Sequence, residues 1–528
     1  MLYVETMRIL VTEKLAETGL DLLREAGHEV DVQLGLSPED LRKAIVGAHG
    51  LIIRSATQVT ADIFEASDVL QVVGRAGVGL DNVDTEAATA TGVIVANAPT
   101  SNSVSAGEHT LAMLLAVARN VPQAHAALTQ GRWERSNWGG VELMEKTLGI
   151  VGLGNIGGIV AVRAKSFGMR LVGHDPFVSP DRAAELGVEL MDLDELVSEA
   201  DFLTLHLART PETVNLINAQ RLKLAKPNLR IVNVARGGII NESDLAEAIS
   251  AGTIAGAAID VFDSEPKTES PLFDLDQVVV TPHLGASTSE AQTRAGETIA
   301  DQVRLALAGD FVPFAVNVDA RGVPESVRPF LPLAELLGAQ FSRLVESPSS
   351  VEIVFAGEIG GMDCRMAELA VVKGLVSQRA ETPVSYVNAE DLAEQLGVKV
   401  NARATTKTPS GLVNGIKIEG EGHSIAGTID LVTGGVRIIS IDGITIEMPS
   451  NEHLLLVVNE DSPGMIGKVG TIFGEAGINI DDMHLGQSAA GDVALIALST
   501  STEVPDVIFA KLNELPQVLS VRDISVPQ

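Results

Sequence analysis

Cysteine is almost absent from this sequence, and long apolar runs are missing. The single cysteine among 528 residues, Cys364, excludes an internal disulfide framework and suits a reducing cytoplasm. No apolar run approaches the roughly 18 residues that a bilayer span requires. The start of the sequence also lacks the basic segment and apolar core of a signal peptide. We therefore expect a cytoplasmic protein in which residues 1–6 form a leader ahead of the first strand.

Basic residues are scarce as well. The chain has 38 lysines and arginines against 70 acidic residues, a net charge of −32, which argues against a nucleic-acid surface. The H-x-x-x-H and C-x-x-C pairs that are typical of metal sites are missing, so we expect no metal. The G-x-S-x-G motif of the α/β-hydrolases is missing too. The length predicts about three or four domains.

A glycine motif is the most informative stretch that is present. The apolar run at 147–151 ends in G-x-G-x-x-G at Gly152, Gly154 and Gly157. Gly152 would form a tight turn, Gly154 would admit a pyrophosphate, and Gly157 would let the next helix pack on the strand. The motif is weak alone in a chain with 50 glycines. Asp175, about 20 residues further on, can bind the adenosine ribose hydroxyls and repel a 2′-phosphate, which favours NAD over NADP.

Short apolar strands alternate with amphipathic helices through the first three fifths of the chain, which is typical of α/β folds with parallel sheets. We predict a Rossmann-type doubly wound cofactor domain inserted in a flavodoxin-like substrate domain. An α+β intervening domain and a ferredoxin-like last domain would follow. The predicted boundaries are 1–104 and 293–318 for the substrate domain, 105–292 for the cofactor domain, 319–452 for the intervening domain and 453–528 for the last domain.

Four individual elements bear on the site. We predict a strand at 69–73, a turn at 99–104 before an apolar helix at 105–119, and a helix at 289–308 that leads the chain back to the substrate domain.

Three charged residues in separate loops suit the oxidation of a 2-hydroxy acid: Arg236, Glu265 and His283. A base that titrates near neutrality is needed to remove the hydroxyl proton as hydride leaves the carbon, and histidine is the usual one. A carboxylate can orient the ring and stabilise the imidazolium. An arginine can hold the substrate carboxylate by two hydrogen bonds.

Each of the three also has a structural alternative. Arg236 could cap a helix or pair on the surface, Glu265 could be an ordinary loop acid, and His283 could be a hydrogen-bonded structural histidine. The other histidines, including His109, His174 and His206, lack such partners in the sequence pattern, so we expect structural or supporting roles for them.

The motifs at 73–84, 147–158, 235–238, 260–266 and 281–288 together resemble the D-isomer-specific 2-hydroxyacid dehydrogenases. The chain length and the C-terminal segments are similar to the long members of that family, which end in an ACT domain. This resemblance covers essentially the whole chain. It implies NAD-dependent oxidation of 3-phospho-D-glycerate to 3-phosphohydroxypyruvate, the first step of L-serine biosynthesis. It also implies His283 as acid/base, Glu265 as its partner and Arg236 as the carboxylate contact.

The resemblance further implies which residues face the cofactor and the substrate. Two arginines at strand ends suit a substrate with a phosphate and a carboxylate, although both could be surface charges. The implied cofactor contacts, beside the three glycines and Asp175, are Asn155, Ile156, Thr210, Val234, Ala235, Asp260, Gly285 and Ala286. The implied substrate contacts are Arg54, Arg75, Gly77, Asn102, Ser103 and Val104.

In the ACT segment the resemblance implies serine as an effector bound between subunits, with Asp461 and Asn479 as the contacts. Asn459 stands where serine-responsive relatives often carry an aromatic residue or a histidine, so a purely structural ACT domain remains the alternative. The resemblance also implies a homotetramer. Trp133 is similar to a residue that reaches into a neighbouring subunit, although a lone tryptophan is more often part of a core.

Two other functions stay open at this point. The chain could oxidise or reduce another D-2-hydroxy acid, since substrate choice depends on loops. It could also be a non-catalytic NAD-sensing binding protein, against which the presence of Arg236, Glu265 and His283 argues.

Overall fold

The computed structural model describes residues 6–318, 323–380, 382–408, 413–430, 433–449, 453–488 and 491–526. Residues 1–5 of the expected leader lie outside this set. The chain divides into two compact units, one made of 1–58, 74–82 and 96–308, and the other of 59–73, 83–95 and 309–528. No helix in the described ranges has both the length and the apolar character to cross a bilayer.

The N-terminal sheet has five strands in the order β2-β1-β3-β4-β5, the flavodoxin-like order expected for the substrate domain. β1 pairs in parallel with β2 and with β3. Helix caps mark several boundaries, since the Ser37 side chain accepts from Asp40 N–H and Asp84 accepts from Ala87 N–H. The elements are β1 Arg8–Val11, α1 Glu17–Glu25, β2 Glu29–Val32, α2 Pro38–Ala44, β3 Gly50–Ile53, α3 Ala61–Ala66, β4 Val72–Arg75, α4 Thr85–Ala90 and β5 Ile94–Ala96.

The second sheet has seven strands in the order β12-β11-β10-β9-β6-β7-β8, all parallel. The strand order reverses between β6 and β9, which is the switch point where Rossmann folds bind dinucleotides. The elements are α5 Ser103–Arg119, α6 Val121–Thr129, β6 Thr147–Val151, α7 Asn155–Lys165, β7 Arg170–His174, α8 Pro180–Leu186, β8 Glu189–Leu190, α9 Leu193–Glu199, β9 Phe202–Leu205, α10 Ala219–Leu222, β10 Arg230–Asn233, α11 Glu242–Ser250, β11 Gly256–Ile259, β12 Val278–Val280 and α12 Ser289–Leu307.

Helices cover both faces of this sheet, which explains why its strands are apolar without alternation. On β6, Ile150 belongs to the core that α5 and α7 cover, while the next residue, Val151, belongs to the core on the opposite face. Both side chains are fully buried. The sheet is therefore rigid at the strand ends, where the polar loops begin.

Helix α12 lies against α1, as the predicted return of the chain requires. The two backbones approach at a pair of glycines, because a Cβ on Gly19 would lie 2.7 Å from the Gly296 carbonyl oxygen. Val303 of α12 also packs within reach of Gly50 and Gly74 on β3 and β4. The helix predicted at 289–308 is confirmed, while the domain boundaries themselves stay a prediction.

Two predicted elements are displaced. The strand predicted at 69–73 lies at Val72–Arg75, because Gly74, a poor strand former, is the residue that fits beneath Val303. The helix predicted from 105 begins at Ser103, so Ser103 and Val104 belong to its first turn instead of the preceding loop.

The chain continues into a six-stranded sheet in the order β14-β13-β15-β16-β17-β18, which is antiparallel except for the β13–β14 pair. Helices α13 and α14 pack closely, since a Cβ on Gly338 would lie 2.1 Å from the Val371 carbonyl oxygen. The elements are α13 Leu331–Leu344, β13 Ser350–Gly357, α14 Arg365–Val376, α15 Ala389–Gln395, β14 Lys399–Thr405, β15 Asn414–Gly420, β16 His423–Ile429, β17 Val436–Ile441 and β18 Ile444–Pro449, with 3-10 turns at Arg328–Phe330 and Ile359–Gly361.

The last domain has the β-α-β-β-α-β order that the sequence predicts. Its antiparallel sheet has the order β20-β21-β19-β22, the ferredoxin-like arrangement. The elements are β19 His453–Glu460, α16 Met465–Glu475, β20 Ile480–Gln487, β21 Val493–Thr500, α17 Asp506–Asn513 and β22 Val518–Asp523.

Candidate active site

The glycine turn between β6 and α7 is shaped to receive a dinucleotide. Gly152 has a φ of +92°, which favours glycine. A Cβ on Gly157 would lie 2.0 Å from the Gly152 carbonyl oxygen, so only glycine permits this approach of helix and turn. A Cβ on Gly154 would meet no atom within 4 Å. The turn is thus closely packed at Gly152 and Gly157 but open at Gly154, where a pyrophosphate would come near the backbone.

Asp175 lies beside this turn. Its Oδ2 accepts a hydrogen bond from Leu153 N–H at 2.8 Å, and its Oδ1 accepts one from Phe177 N–H at 2.9 Å. The carboxylate is therefore fixed next to the Gly152–Gly154 turn. The open turn, the N-terminus of α7 and a fixed carboxylate together fit NAD.

The remaining predicted cofactor contacts lie on α7 or in loops after the switch-point strands. Asn155 and Ile156 open α7, Thr210 lies in the loop after β9, and Val234 and Ala235 follow β10. The Thr210 N–H donates to the Thr213 hydroxyl at 2.7 Å, and the Ala235 N–H donates to Asn233 Oδ1 at 3.0 Å. These residues all lie at the carboxyl ends of the strands.

His283 and Glu265 form a hydrogen-bonded dyad across two loops. His283 Nδ1 lies 2.6 Å from Glu265 Oε2, and Glu265 Oε1 accepts from Phe262 N–H at 2.9 Å. Burial acts to raise the pKa of Glu265, but the hydrogen bonds from His283 and Phe262 outweigh it, so this pKa is below its usual range. The carboxylate is therefore ionised near neutrality, and the Nε2 side of the ring is left for a substrate.

Asp260 holds the loop that carries His283. Its fully buried carboxylate accepts from the Thr281 hydroxyl at 2.6 Å, from Leu284 N–H at 2.7 Å and from Gly285 N–H at 2.9 Å. Burial acts to raise the pKa of Asp260, but hydrogen bonds from His109 and Thr281 lower it overall. Asp260 and the N–H of Gly285, both predicted cofactor contacts, are thus hydrogen-bonded to each other within the chain.

The expectation that His109 has no such partner is wrong. His109 Nε2 lies 3.2 Å from the Asp260 carboxylate, on which the His283 loop depends. His109 is on α5, 151 positions before Asp260, so sequence spacing gave no signal of the contact. His174 Nδ1 meets the Met191 carbonyl at 3.1 Å, and burial lowers the pKa of His206 to about 4, in line with structural roles for both.

Arginines face the same region from two sheets. Arg236 Nε lies 3.4 Å from Asp81 Oδ2, and its Nη1 donates to the Ala235 carbonyl at 2.8 Å. The pKa of Arg75 is lowered to about 10, mainly by burial and also by the positive charges of Arg236 and Arg54, against the opposing effects of Asp81 and Glu13. Arg75 Nε is buried and finds no hydrogen-bond partner among the described residues. This concentration of positive charge is incompletely neutralised by the chain.

A small cleft of about 30 Å³ joins several predicted substrate contacts, including Arg54, Gly77 and Asn102, with the predicted cofactor contact Ala286. Asn102 Oδ1 is buried and unpartnered among the described residues. Ser103 and Val104 follow it in the first turn of α5. Buried polar atoms without partners are uncommon in proteins and often mark a ligand site.

Three residues that were not predicted from the sequence also shape this cleft. Lys14 and Gln292 line it. Glu13 accepts hydrogen bonds from Arg54 N–H and Thr57 N–H, both at 2.9 Å, and so orders the loop that carries Arg54. Glu13 and Lys14 come shortly after β1, and the rule that ligands collect at strand ends could have found them. Gln292 lies on α12, for which no such rule exists.

The two predicted effector residues are not brought together within one chain. Asp461 accepts from the Gln487 side chain, at the end of β20, whereas Asn479 precedes the start of β20 and donates to Asp481 at 2.6 Å. β20 spans eight residues, a length of roughly 26 Å. The same serine could contact both residues only if two chains contributed them. Trp133 is 81% exposed, so the alternative that it belongs to a core of this chain is wrong.

Family models match three segments of the chain. Residues 111–285 match the D-isomer specific 2-hydroxyacid dehydrogenase NAD binding domain. Residues 326–442 match the D-3-phosphoglycerate dehydrogenase intervening domain, and residues 453–517 match the ACT domain.

Full-length relatives match along nearly the whole chain. The D-3-phosphoglycerate dehydrogenase of Mycobacterium tuberculosis is 44% identical over 94% of this chain and 95% of its own length. That of Methanocaldococcus jannaschii is 40% identical over 98% and 100%. Among solved structures, the TT0316 protein of Thermus thermophilus has a TM-score of 0.55 and 38% identity, and covers 59% of this chain and 100% of its own. Apo D-lactate dehydrogenase of Escherichia coli has a TM-score of 0.53 at 26% identity, with coverage of 59% and 100%.

Proposed function

The chain belongs to the D-3-phosphoglycerate dehydrogenases within the D-isomer specific 2-hydroxyacid dehydrogenases, and on this premise we propose that it oxidises 3-phospho-D-glycerate to 3-phosphohydroxypyruvate. It is an NAD-dependent oxidoreductase. We further propose that the reaction is the first step of L-serine biosynthesis.

One observation carries the choice of substrate. The positive charges of Arg54 and Arg236 act on Arg75 beside the site, and Arg75 has a buried N–H without a hydrogen-bond partner among the described residues. A substrate with both a carboxylate and a phosphate can neutralise such a cluster, whereas a monocarboxylic acid such as glycerate or lactate supplies a single negative charge.

The dyad supports a role in proton transfer. Glu265 engages Nδ1 of His283, which leaves Nε2 to take the proton from the substrate hydroxyl. The ionised Glu265 stabilises the imidazolium that results. Arg236 would hold the substrate carboxylate, while Arg54 and Arg75 would hold the phosphate. NAD, bound at the Gly152–Gly157 turn, supplies the hydride acceptor.

Asp175 supports the preference for NAD. Its carboxylate is fixed beside the glycine turn by Leu153 N–H and Phe177 N–H. A 2′-phosphate at that position would meet a like charge.

The direct test is NADH formation by the purified protein with 3-phospho-D-glycerate, beside D-glycerate, D-lactate and D-2-hydroxyglutarate. We expect the phosphorylated acid to have the highest kcat/KM. Turnover of unphosphorylated acids alone would overturn the substrate assignment. The absence of turnover with every acid would favour a non-catalytic NAD-binding role.

We also propose serine as an effector, with Asp461 of one chain and Asn479 of another at a shared site. The separation of these residues along β20 supports a two-chain site. A homotetramer is proposed with it, and the exposure of Trp133 is consistent with a contact to another subunit.

The domain division proposed from the sequence is supported by the packing of α12 on α1. The sole cysteine supports a cytoplasmic location. Burial, with Asp363 and Glu368 nearby, raises the pKa of Cys364 to about 11, so this thiol is poorly suited to redox chemistry.

A further inference from the structure

Lys267 lies two residues beyond Glu265 and joins two loops through its ammonium group. Nζ is 2.9 Å from Glu242 Oε2 and 2.5 Å from Asp263 Oδ1. The other Glu242 oxygen, Oε1, accepts from Asp263 N–H at 2.8 Å. The Lys267 and Glu242 side chains are only 18% and 12% exposed, so this is a largely desolvated ion pair.

The two loops that this pair joins carry the proposed catalytic residues Arg236 and Glu265. Glu242 is the first residue of α11, directly after the loop that begins at Arg236. Asp263 and Lys267 flank Glu265. The loop backbones also touch, because a Cβ on Gly237 would lie 1.6 Å from the Phe262 carbonyl oxygen.

The outer side of this junction is polar. A cavity of about 210 Å³ adjoins the ion pair, and its lining is mainly polar, with Asn215, Asn241 and Ser243 beside the charged residues. Arg209 adds one long contact, from Nη1 to the Asp263 carbonyl at 3.4 Å. Charged hydrogen bonds therefore join the two loops on this side, in addition to the apolar contacts of the core.

The charge states support a permanent pair near neutral pH. Burial acts to lower the pKa of Lys267, but its hydrogen bonds to Asp263 and Glu242 raise it overall. The hydrogen bond from Lys267 lowers the pKa of Asp263. Lys267 thus stays protonated and Asp263 stays ionised throughout the range in which a histidine base works.

We propose that Lys267 and Glu242 are positioning residues for the reaction. Their ion pair holds the Glu265 loop against the Arg236 loop and so keeps Glu265 Oε2 on His283 Nδ1. The inference rests on the proposed function, because it assigns these residues a task in that same site. Removing Lys267 leaves Glu242 buried without its cationic partner. Removing the Glu242 charge leaves Lys267 paired with Asp263 alone, so that it no longer joins the two loops. Either change displaces the loop that carries Glu265.

The test is Lys267→Met, alone and combined with Glu265→Gln. For the single variant we expect kcat to fall about tenfold, since small displacements of catalytic groups have effects of this size, while the Kd for NADH changes less than about twofold. The pH profile of kcat/KM for oxidation should change in the same way as in Glu265→Gln, because both variants disturb the same hydrogen bond between Glu265 and His283. In the Glu265→Gln background, Lys267→Met should change kcat less than about twofold.

Lys267→Arg should recover most of the activity. Lys43→Met is the matched control, because it removes an exposed lysine that pairs with Glu39 far along the chain from this site. If Lys267→Met does not fold, the same measurements are made on Glu242→Gln, because the amide oxygen of the new glutamine can still accept from Asp263 N–H. Wild-type kinetics and pH profile in the folded variant, or fully multiplicative effects in the double variant, would overturn the inference. Failure of the wild-type chain to oxidise any acid would instead overturn the proposed function.

Discussion

At the scale of single residues, Arg75 is a binding-site group whose buried charge lowers the stability of the folded chain. Its pKa in the folded chain is about 10, below the ordinary value of an arginine. The folded state therefore binds this proton less tightly than the unfolded state does, so the charged guanidinium destabilises the fold below about pH 10. That penalty is relieved as the pH rises above about 10. An anion bound beside Arg75 would relieve it at neutral pH.

For Arg75→Met we expect KM for 3-phospho-D-glycerate to rise about 100-fold, consistent with the loss of a charged contact, with little change in the affinity for NADH. The free protein should melt at the same temperature as the wild type or higher. The measurements are steady-state kinetics and thermal unfolding with and without the substrate. Arg182→Met, which removes an exposed arginine paired with Glu185, is the control. A wild-type KM in Arg75→Met would contradict this role.

His283→Ala should lower kcat by a factor of about 10² to 10⁴, the usual contribution of a general base. It should still bind NADH, because the glycine turn and Asp175 are unaffected. Stopped-flow hydride transfer and NADH fluorescence separate the two effects. A rate within threefold of the wild type would show that another group moves the proton.

Some residues of the site could be predicted from the sequence, and others could not. Arg236, Glu265 and His283 follow strands in recognisable motifs, and the geometry brings Glu265 onto His283. The contact of His109 with Asp260 depends on how α5 crosses the sheet. Such a contact between distant segments has no local pattern, so the sequence could not predict it.

At the scale of elements, we predict different roles for two glycines of the turn: Gly154 admits the cofactor, and Gly157 allows close packing. Gly154→Ala should leave the melting temperature nearly unchanged, since its Cβ meets no atom of the chain. It should weaken NADH binding about tenfold or more, because the added methyl group occupies the approach of the pyrophosphate.

Gly157→Ala should instead destabilise the protein by about 1–3 kcal/mol, the usual result of overpacking, because its Cβ would lie 2.0 Å from the Gly152 carbonyl oxygen. Chemical denaturation and NADH titration of both variants check this pair. Equal loss of stability in the two variants would contradict the division of roles.

Element boundaries were harder to predict than element types. Valine-rich 69–73 has the higher strand propensity, yet the strand lies at Val72–Arg75 because packing against α12 selects Gly74. Helix α5 begins at Ser103 although the preceding residues carry turn chemistry. At β4, tertiary packing outweighed local preference.

At the scale of the whole molecule, the order of helices and strands predicts the sheet topologies well, since parallel and ferredoxin-like arrangements follow from it. The separation of Asp461 and Asn479 along β20 was not predictable from their motifs, because it depends on the strand register.

Serine binding should therefore require two chains. We expect calorimetry to show heat with wild-type protein and none with Asp461→Ala or with Asn479→Ala. Refolding the two variants together should restore part of the heat, because some sites would combine Asn479 of one chain with Asp461 of the other. Asp506→Ala is the control, as it removes an exposed carboxylate from α17. Heat from either variant alone would contradict the shared site, and no heat with the wild type would leave the ACT domain a structural module.

The central claim is that hydride passes from C2 of a phosphorylated 2-hydroxy acid to NAD. Its most direct test is the oxidation of 3-phospho-D-glycerate deuterated at C2, with the reduced cofactor analysed by mass spectrometry. The account predicts one deuterium atom on the nicotinamide for each molecule oxidised, and a matching fall in the rate of this transfer in His283→Ala. Reduced cofactor without deuterium, or none with this substrate while another acid is oxidised, would contradict it.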